Sequence, residues 1–313
     1  MKTTLHEIPL ERRTLHGHFS RGLEPVVEVF SGDVIRFATL DAGWGLEPPL
    51  PDGSERRRFE PFDPELDVGH PLIGPVAVRN ARAGMTLEVR IETVRVGPYG
   101  LTVAGGWSTP LNDRLGVSSG QSRVLAWALD ADAGTARDRK GRVVELAPFL
   151  GVLGMPPPEP GVHPTGPPRV WGGNLDCKEL VAGTTLFLPI PVDGALFSAG
   201  DGHARQGDGE VSSTAIECPL ERAELGLTLR EDFGLATPVA RTRDSWIALG
   251  LGESLDEASG NAVEAMLLLM ERELGVGRRD ALALASVVVD LRITQVVNGV
   301  VGVHAVLPDG AIR

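Results

Sequence analysis

Between residues 198 and 210 the chain reads Ser198-Ala-Gly200-Asp201-Gly202-His203-Ala-Arg205-Gln206-Gly207-Asp208-Gly209-Glu210. Acids, an imidazole and an amide alternate there with small residues. In an extended backbone Asp201 and His203 point to the same side, roughly 6–7 Å apart. A carboxylate, an imidazole and a second carboxylate are donors that Zn²⁺ or a similar divalent ion accepts. The plain alternative is a turn whose aspartates cap backbone N–H groups. The spacing fits neither an EF-hand nor the Gly-Gly-x-Gly-x-Asp calcium repeat.

A second cluster is Trp171-Gly-Gly-Asn174-Leu-Asp176-Cys177-Lys178. If this is a strand, Asn174, Asp176 and Lys178 share one face, suited to binding and polarising a small polar substrate, and Cys177 faces the other way. A charged edge strand with an Asp–Lys pair of little energetic worth is the competing reading. A cysteine nucleophile with Glu179 and Lys178 as companions is a third, weaker one. His70, before the Pro71-bounded strand, and Asp41, at a strand end, complete the candidates; a structural histidine and a turn cap are their plain readings. His6, His16, His18, His163 and His304 lack acidic companions at ligand-like spacing and are set aside.

The elements that must position these side chains are mostly strands. Residues 26–40 read as a strand, a Ser31-Gly32-Asp33 turn and an alternating strand. Similar phrases recur at residues 83–91 and 182–188, where a small residue and Gly lead into a period-two strand, as if one hairpin device were reused. The apolar stretch Gly194-Ala-Leu-Phe197 delivers the chain to the 198–210 loop. Seven prolines between residues 155 and 168 demand a stiff, extended segment, either a linker or a wall beside a pocket. Near the end, Ser254-Leu-Asp-Glu257 is a capping box that opens a helix with an Ala262, Met266, Leu269, Met270 stripe, and Gly275 closes it. A shorter helix is expected over 278–286, then strands over 287–297 and 300–307 around the Asn298-Gly299 turn. The expected class is β-rich α+β, in sub-parts 1–150, 169–245 and 246–313 of one unit.

Composition sets the outer bounds. With 42% hydrophobic and 23% charged residues the chain resembles an ordinary globular protein rather than a disordered one. A net charge of −12 repels phosphate backbones, so no nucleic acid is expected as partner. No apolar run is long enough to span a bilayer, so no membrane partner is expected either. Two cysteines without a CxxC pair, and no secretory signal in the opening residues, point to the cytoplasm.

At these segments the chain resembles the acetamidase/formamidase family. The matching residues are His70-Pro-Leu-Ile-Gly74-Pro75, Ala81-Arg-Ala-Gly84-Met-Thr-Leu-Glu-Val, Gly172-Gly-Asn174-Leu-Asp176, and Gly194 through His203 with Gln206-Gly-Asp208-Gly-Glu210. Their order and spacing agree from about residue 27 to 307. The resemblance implies hydrolysis of short amides such as formamide or acetamide, with lactam opening in some relatives. It also implies a mixed β-sandwich and β-barrel with a helix-containing α/β part, assembled as a homo-oligomer. The family fills the Cys177 position freely, which argues against a cysteine nucleophile. The segment between the first two motifs is shorter than in longer relatives, leaving pocket wall and substrate size open.

Amide hydrolysis needs a nucleophile, a polarised carbonyl and a proton for the leaving nitrogen. No Gly-x-Ser-x-Gly elbow is present, so water on a divalent ion is the economical nucleophile. Zinc is the first expectation and calcium the alternative. Asp201, His203, His70 and Asp41 are the expected ligands, and Glu210 the general base, with Asp176 and Lys178 also in the catalytic set. Asn174, Lys178 and Gln206 would orient the amide or the oxyanion. The other class of function open at this point is a small-molecule-binding protein without catalysis.

Overall fold

The computed structural model describes residues 3–48 and 56–313. Two large sheets dominate. The nine-stranded one runs Leu5–Ile8, Asp33–Phe37, Leu220–Arg230, Thr86–Val96, Thr185–Pro189, Val239–Arg241, Ser245–Gly252, Val301–Pro308, Asp290–Gln295, so distant parts of the chain interleave. In Thr86–Val96 the buried Leu87, Val89 and Ile91 alternate with the more exposed Glu88, Arg90 and Glu92. A bulge opposite Glu224 and Leu225 then shifts the phase, which keeps Val94 and Val96 inward as well.

The second sheet orders Gly172–Asn174, Phe149–Gly154, Phe197–His203, Leu72–Val78 and Leu15–His16, with Val27–Val29 beside Leu72–Val78. Its Leu150, Leu153 and Phe197 share one buried cluster with Leu87, Val89 and Ile91, so the two sheets close over a common core. Each fully buried aliphatic side chain there contributes about 1.5–3 kcal/mol. The β-rich α+β class is what the chain adopts; among the described residues no sheet closes into a barrel.

The glycine device holds. Gly32, Gly84 and Gly183 have φ of +95°, +91° and +93°, a left-handed turn that each time leads into a strand of the large sheet. The strands over 27–29 and 33–37 do not pair as a hairpin, however: the first joins Leu72–Val78, the second Leu5–Ile8 and Leu220–Arg230. The turn passes the chain from one sheet to the other, which local pattern cannot distinguish from a hairpin.

The C-terminal helix spans Leu255–Leu274, with Ser254 accepting from the Glu257 N–H and Gly275 as left-handed cap. Ala262, Met266, Leu269 and Met270 are buried against strands Ser245–Gly252 and Val301–Pro308. The next helix runs Arg278–Val288, past the expected 286, so Val287 is helical rather than the start of a strand. Asn298 and Gly299 turn with φ of +68° and +76° between the last two strands, as their types require. The proline-rich segment packs against the N-terminal part of the chain: His163–Pro164 pairs with His18–Phe19, and buried Thr165 reaches His70.

Candidate active site

Strand Phe197–His203 lies in the middle of the six-stranded sheet and is buried throughout. Asp201 and His203 therefore sit on a core strand rather than on an exposed loop. They share a side as the spacing predicts: His203 Nε2 is 3.3 Å from Asp201 Oδ2. Asp201 holds a left-handed φ of +60°, a strained conformation for a non-glycine residue.

Glu217 is the residue that sequence reasoning missed. Its Oε2 lies 3.1 Å from His203 Nε2, and its Oε1 accepts from the Ala215 N–H at 2.7 Å. Its backbone exchanges hydrogen bonds with Leu101 on one side, and His203 bridges it on the other. The one signal was an acid within the apolar run Ala215-Ile-Glu217-Cys218, a placement that demands a partner.

Asp176 and Glu210 approach from the other side. Asp176, His203 and Glu210 each offer a ligand atom within 4.8 Å of one another, as do Asp201, His203 and Glu217. The expected strand over 174–178 does not form. It ends at Asn174, and Asp176 turns with φ of +48°. The turn is held by the Leu175 N–H donating to the Gly151 carbonyl and by Gln206 Nε2 donating to the Asp176 carbonyl at 2.7 Å. Asn298, in the C-terminal hairpin turn, donates to Asp176 Oδ2 at 3.2 Å and to Gln295 Oε1 at 2.7 Å.

The remaining candidates are not brought into this set. Asp41 is a correction to the ligand expectation: its buried carboxylate is saturated by Arg56 at 2.5 and 2.9 Å, the Tyr99 hydroxyl at 2.9 Å and the Gly43 and Gly45 N–H groups. An ion-paired carboxylate that accepts five hydrogen bonds has no lone pair to spare. His70 is half-buried with Nδ1 2.9 Å from Thr165 Oγ1, outside both ligand groups, though near enough to act on the Asp201 charge. Lys178 is a rim residue, its Nζ 2.7 Å from Asp208 Oδ2.

Four buried carboxylates around one imidazole carry a charge that water cannot screen. Burial, the Glu210 charge and that of Asp201 push the Asp176 carboxyl well above its ordinary range. Burial likewise raises Glu210, with Glu217 and Asp201 adding to it. Burial opposes a charge on Asp201 too, yet His203 and His70 outweigh it and hold that carboxyl low. For His203 burial opposes protonation, but Glu217 and Asp201 overcome it and raise the imidazole well above its usual value. The cluster draws protons or a cation to balance itself.

Does the donor set fit a metal ion? Among the described residues, eight buried side-chain N or O atoms lack a hydrogen-bond partner, and seven belong to this site. They are Asn174 Oδ1, Asp176 Oδ1, Asp201 Oδ1, His203 Nδ1, Gln206 Oε1, Glu210 Oε2 and Glu217 Oε2. Orphaned polar atoms are costly singly, about 1–3 kcal/mol each, so seven together mark a place for a ligand. Gly151 leaves space as well: a Cβ there would meet Asp201 Oδ2 at 2.4 Å, Asp176 Oδ1 at 2.8 Å and His203 Cε1 at 2.9 Å. Oxygen donors with one imidazole in a cradle of this kind fit a divalent ion.

Comparison with known proteins bears on the same residues. Residues 159–221, which hold Asn174, Asp176, Asp201, His203, Glu210 and Glu217, match the model of the Acetamidase/Formamidase family. The formamidase of Methylophilus methylotrophus is 46% identical over 105 residues, 30% of this chain and 25% of that protein. The acetamidase of Mycolicibacterium smegmatis is 50% identical over 48 residues, 15% of this chain and 12% of that protein. The matches thus span between an eighth and a quarter of these curated relatives. Over nearly the whole length, the chain is similar to the crystal structure of a recombinant predicted acetamidase/formamidase from the thermophile Thermoanaerobacter tengcongensis. That likeness has a TM-score of 0.84 at 26% identity and covers 98% of this chain and 97% of the other. The chain is thus similar to the acetamidase/formamidase family where the site residues lie, and alike in fold to one of its predicted members from end to end.

Proposed function

We propose that the protein hydrolyses a small carboxamide of the formamide or acetamide type to a carboxylate and ammonia. The observation that carries this is the gathering of seven orphaned polar atoms around His203, under the Gly151 gap. The similarity to the acetamidase/formamidase family over residues 159–221 supports it, since relatives matched there are named for this activity. Asp201, His203 and Glu217 would hold a divalent cation, zinc before calcium, with Asp176 and Glu210 facing it. When bound, such an ion polarises a carbonyl and makes water a better nucleophile near neutral pH.

The chain's own groups account for substrate placement and proton movement. Gln206 spends its Nε2 on the Asp176 carbonyl and keeps Oε1 as a free acceptor; Asn174 Oδ1 is free likewise. Two carbonyl acceptors match the two N–H donors of a primary amide, so their part is to hold the leaving nitrogen rather than the oxyanion. Glu210, whose pKa is raised to about 8, can change protonation state near neutrality: as the carboxylate it takes a proton from the attacking water, and as the resulting acid it gives that proton to the nitrogen as the C–N bond breaks. Lys178, paired with Asp208, lines the rim beside Gln206. The same reading includes the homo-oligomer in the cytoplasm and leaves lactams as a further substrate class. Among the described residues no helix is long and apolar enough to cross a membrane.

The test is ammonia release from formamide and acetamide, with elemental analysis of the protein. Glu210→Gln should retain the ion and lose about 10²–10⁴ in turnover, as for loss of a general acid–base group. Asp201→Asn and His203→Ala should lose ion and activity together, and the double variant should be no worse than either. Ion-loaded parent protein that turns over neither amide, or that stays fully active after complete chelation, overturns the reading.

A further inference from the structure

The eighth orphaned atom is His304 Nε2, fully buried and outside the site just described. His304 comes from strand Val301–Pro308, and its Nδ1 pairs with Thr294 Oγ1 at 2.8 Å. With Nδ1–H donating to that hydroxyl, Nε2 turns a lone pair inward. It points at Glu179 Oε2, 3.4 Å away and without hydrogen-bond alignment. The same oxygen lies 3.5 Å from Cys177 Sγ. Sulfur, oxygen and nitrogen all fall within 4.8 Å of one another.

We propose that Cys177, Glu179 and His304 form a second metal site, one that takes a zinc-type ion in a structural role. Nothing in the proposed amidase chemistry uses these side chains, and the inference does not rest on that reading. The His304–Glu179 separation favours an ion over a hydrogen bond, and the Cys177–Glu179 separation fits an ion as well as the thiol hydrogen bond it also matches. Tetrahedral zinc with Zn–N and Zn–O near 2.05 Å and Zn–S near 2.3 Å sets O···N at about 3.4 Å and S···O at about 3.5 Å. The structure has 3.4 and 3.5 Å for these two edges. A direct N–H···O bond would instead close to about 2.9 Å.

The surroundings agree. Glu179 divides its oxygens: Oε1 faces Arg292 Nη1 at 3.2 Å and Lys178 Nζ at 3.9 Å, while Oε2 alone faces the cluster. The carboxylate is thus oriented by cations on its outer oxygen, leaving the inner one to coordinate. Burial pushes the Cys177 thiol up, so the ion must displace its proton to solvent as the S–metal bond forms. Glu179 and Arg292 line a surface cavity that also takes in Val181 and Val306, which brings solvent up to the Glu179 side of the cluster. Cys177 and Glu179 lie on the turn that follows Asp176, and His304 lies on a C-terminal strand. An ion here would fasten the turn that presents Asp176 to the C-terminal part of the large sheet.

Cobalt(II) is the probe, because a thiolate ligand gives it a sulfur-to-metal charge-transfer band that carboxylates and imidazoles do not. Chelator-treated full-length protein titrated with Co²⁺ should develop that band, and Zn²⁺ should abolish it. Cys218→Ala should keep the band and Cys177→Ser should lose it along with one equivalent of tightly bound ion. His304→Gln should weaken cobalt binding by about tenfold or more. Absence of the band in the parent, or its persistence in Cys177→Ser, overturns the proposal. Circular dichroism checks each variant's fold, and the parent titration decides on its own if Cys177→Ser does not fold.

Discussion

Gly151→Ala adds one methyl group at the point where the proposed ligands meet. The backbone can accept it, since Gly151 is not among the residues with positive φ. The space cannot. Heavy atoms pack at about 3.5 Å or more, whereas the new carbon would meet Asp201 Oδ2 at 2.4 Å. Asp201 must retreat by about 1 Å, several times the 0.2 Å tolerance of a metal–ligand distance. Asp201 stands opposite Gly151 across the strand pair, with Leu150↔Gly202 and Val152↔Gly200 on either side, so backbone pairing limits that retreat. Overpacking of this kind costs about 1–3 kcal/mol, and a displacement near 1 Å costs about 10²-fold in rate. The expected protein is folded, melts several degrees lower, holds little ion and releases ammonia about a hundredfold more slowly. Gly260→Ala is the control: nothing lies within 4 Å of its Cβ position on the long helix, and it should leave ion and rate unchanged. Gly151→Ala protein with parental ion content and turnover would refute the cradle argument.

Two further outcomes separate structure from chemistry. Asp41→Asn leaves the half-buried Arg56 guanidinium without a carboxylate, so stability should fall by about 1.5–3 kcal/mol in urea unfolding while ion content per folded molecule stays at the parental value; loss of the ion in folded Asp41→Asn would restore Asp41 as a ligand. His16 is buried, and burial lowers its pKa to about 4 despite the contact with the His18 carbonyl. The unfolded chain takes up this proton near pH 6.5 and the native protein only near 4, so stability is complete above the upper value and lost as pH falls through that window, about 3 kcal/mol in all. His16→Gln, which can still bond Ser198 Oγ, should flatten that slope; an unchanged slope between pH 6.5 and 4.5 would show that other groups carry it.

What could be read from the sequence follows from how local each cause is. The cap at Ser254, the Met266 stripe and the Asn298-Gly299 turn depend on residues within a few positions of one another, and the structure has them where the pattern places them. The period-two argument put Asp201 and His203 on one side, and they are 3.3 Å apart there. The same argument failed over Asn174, Asp176 and Lys178, because Asp176 adopts a φ of +48° that only the Gly151 carbonyl, Gln206 and Asn298 make tolerable. Those partners come from three distant segments. Glu217 was hidden for a related reason: its neighbours in sequence are apolar, and its companions, His203 and Leu101, reach it across strand edges. His304 was set aside for lacking an acid nearby in sequence, yet Glu179 is 3.4 Å from it in space.

That pattern has a consequence for the site itself. Asp201 and His203 are held by the strand they belong to, packed on both edges, so their geometry is fixed by sheet pairing. Asp176 and Glu210 are held instead by turns, each with a left-handed φ, and Asp176 also by side-chain amides from elsewhere. Strand-held groups resist displacement, whereas turn-held groups can shift by changing one or two dihedral angles. The proposed reaction, which keeps an ion and moves a proton, needs both kinds. The division assigns the first role to Asp201, His203 and Glu217, whose backbones are locked into bridges, and the second to Glu210, whose residue can swing without unpairing a strand.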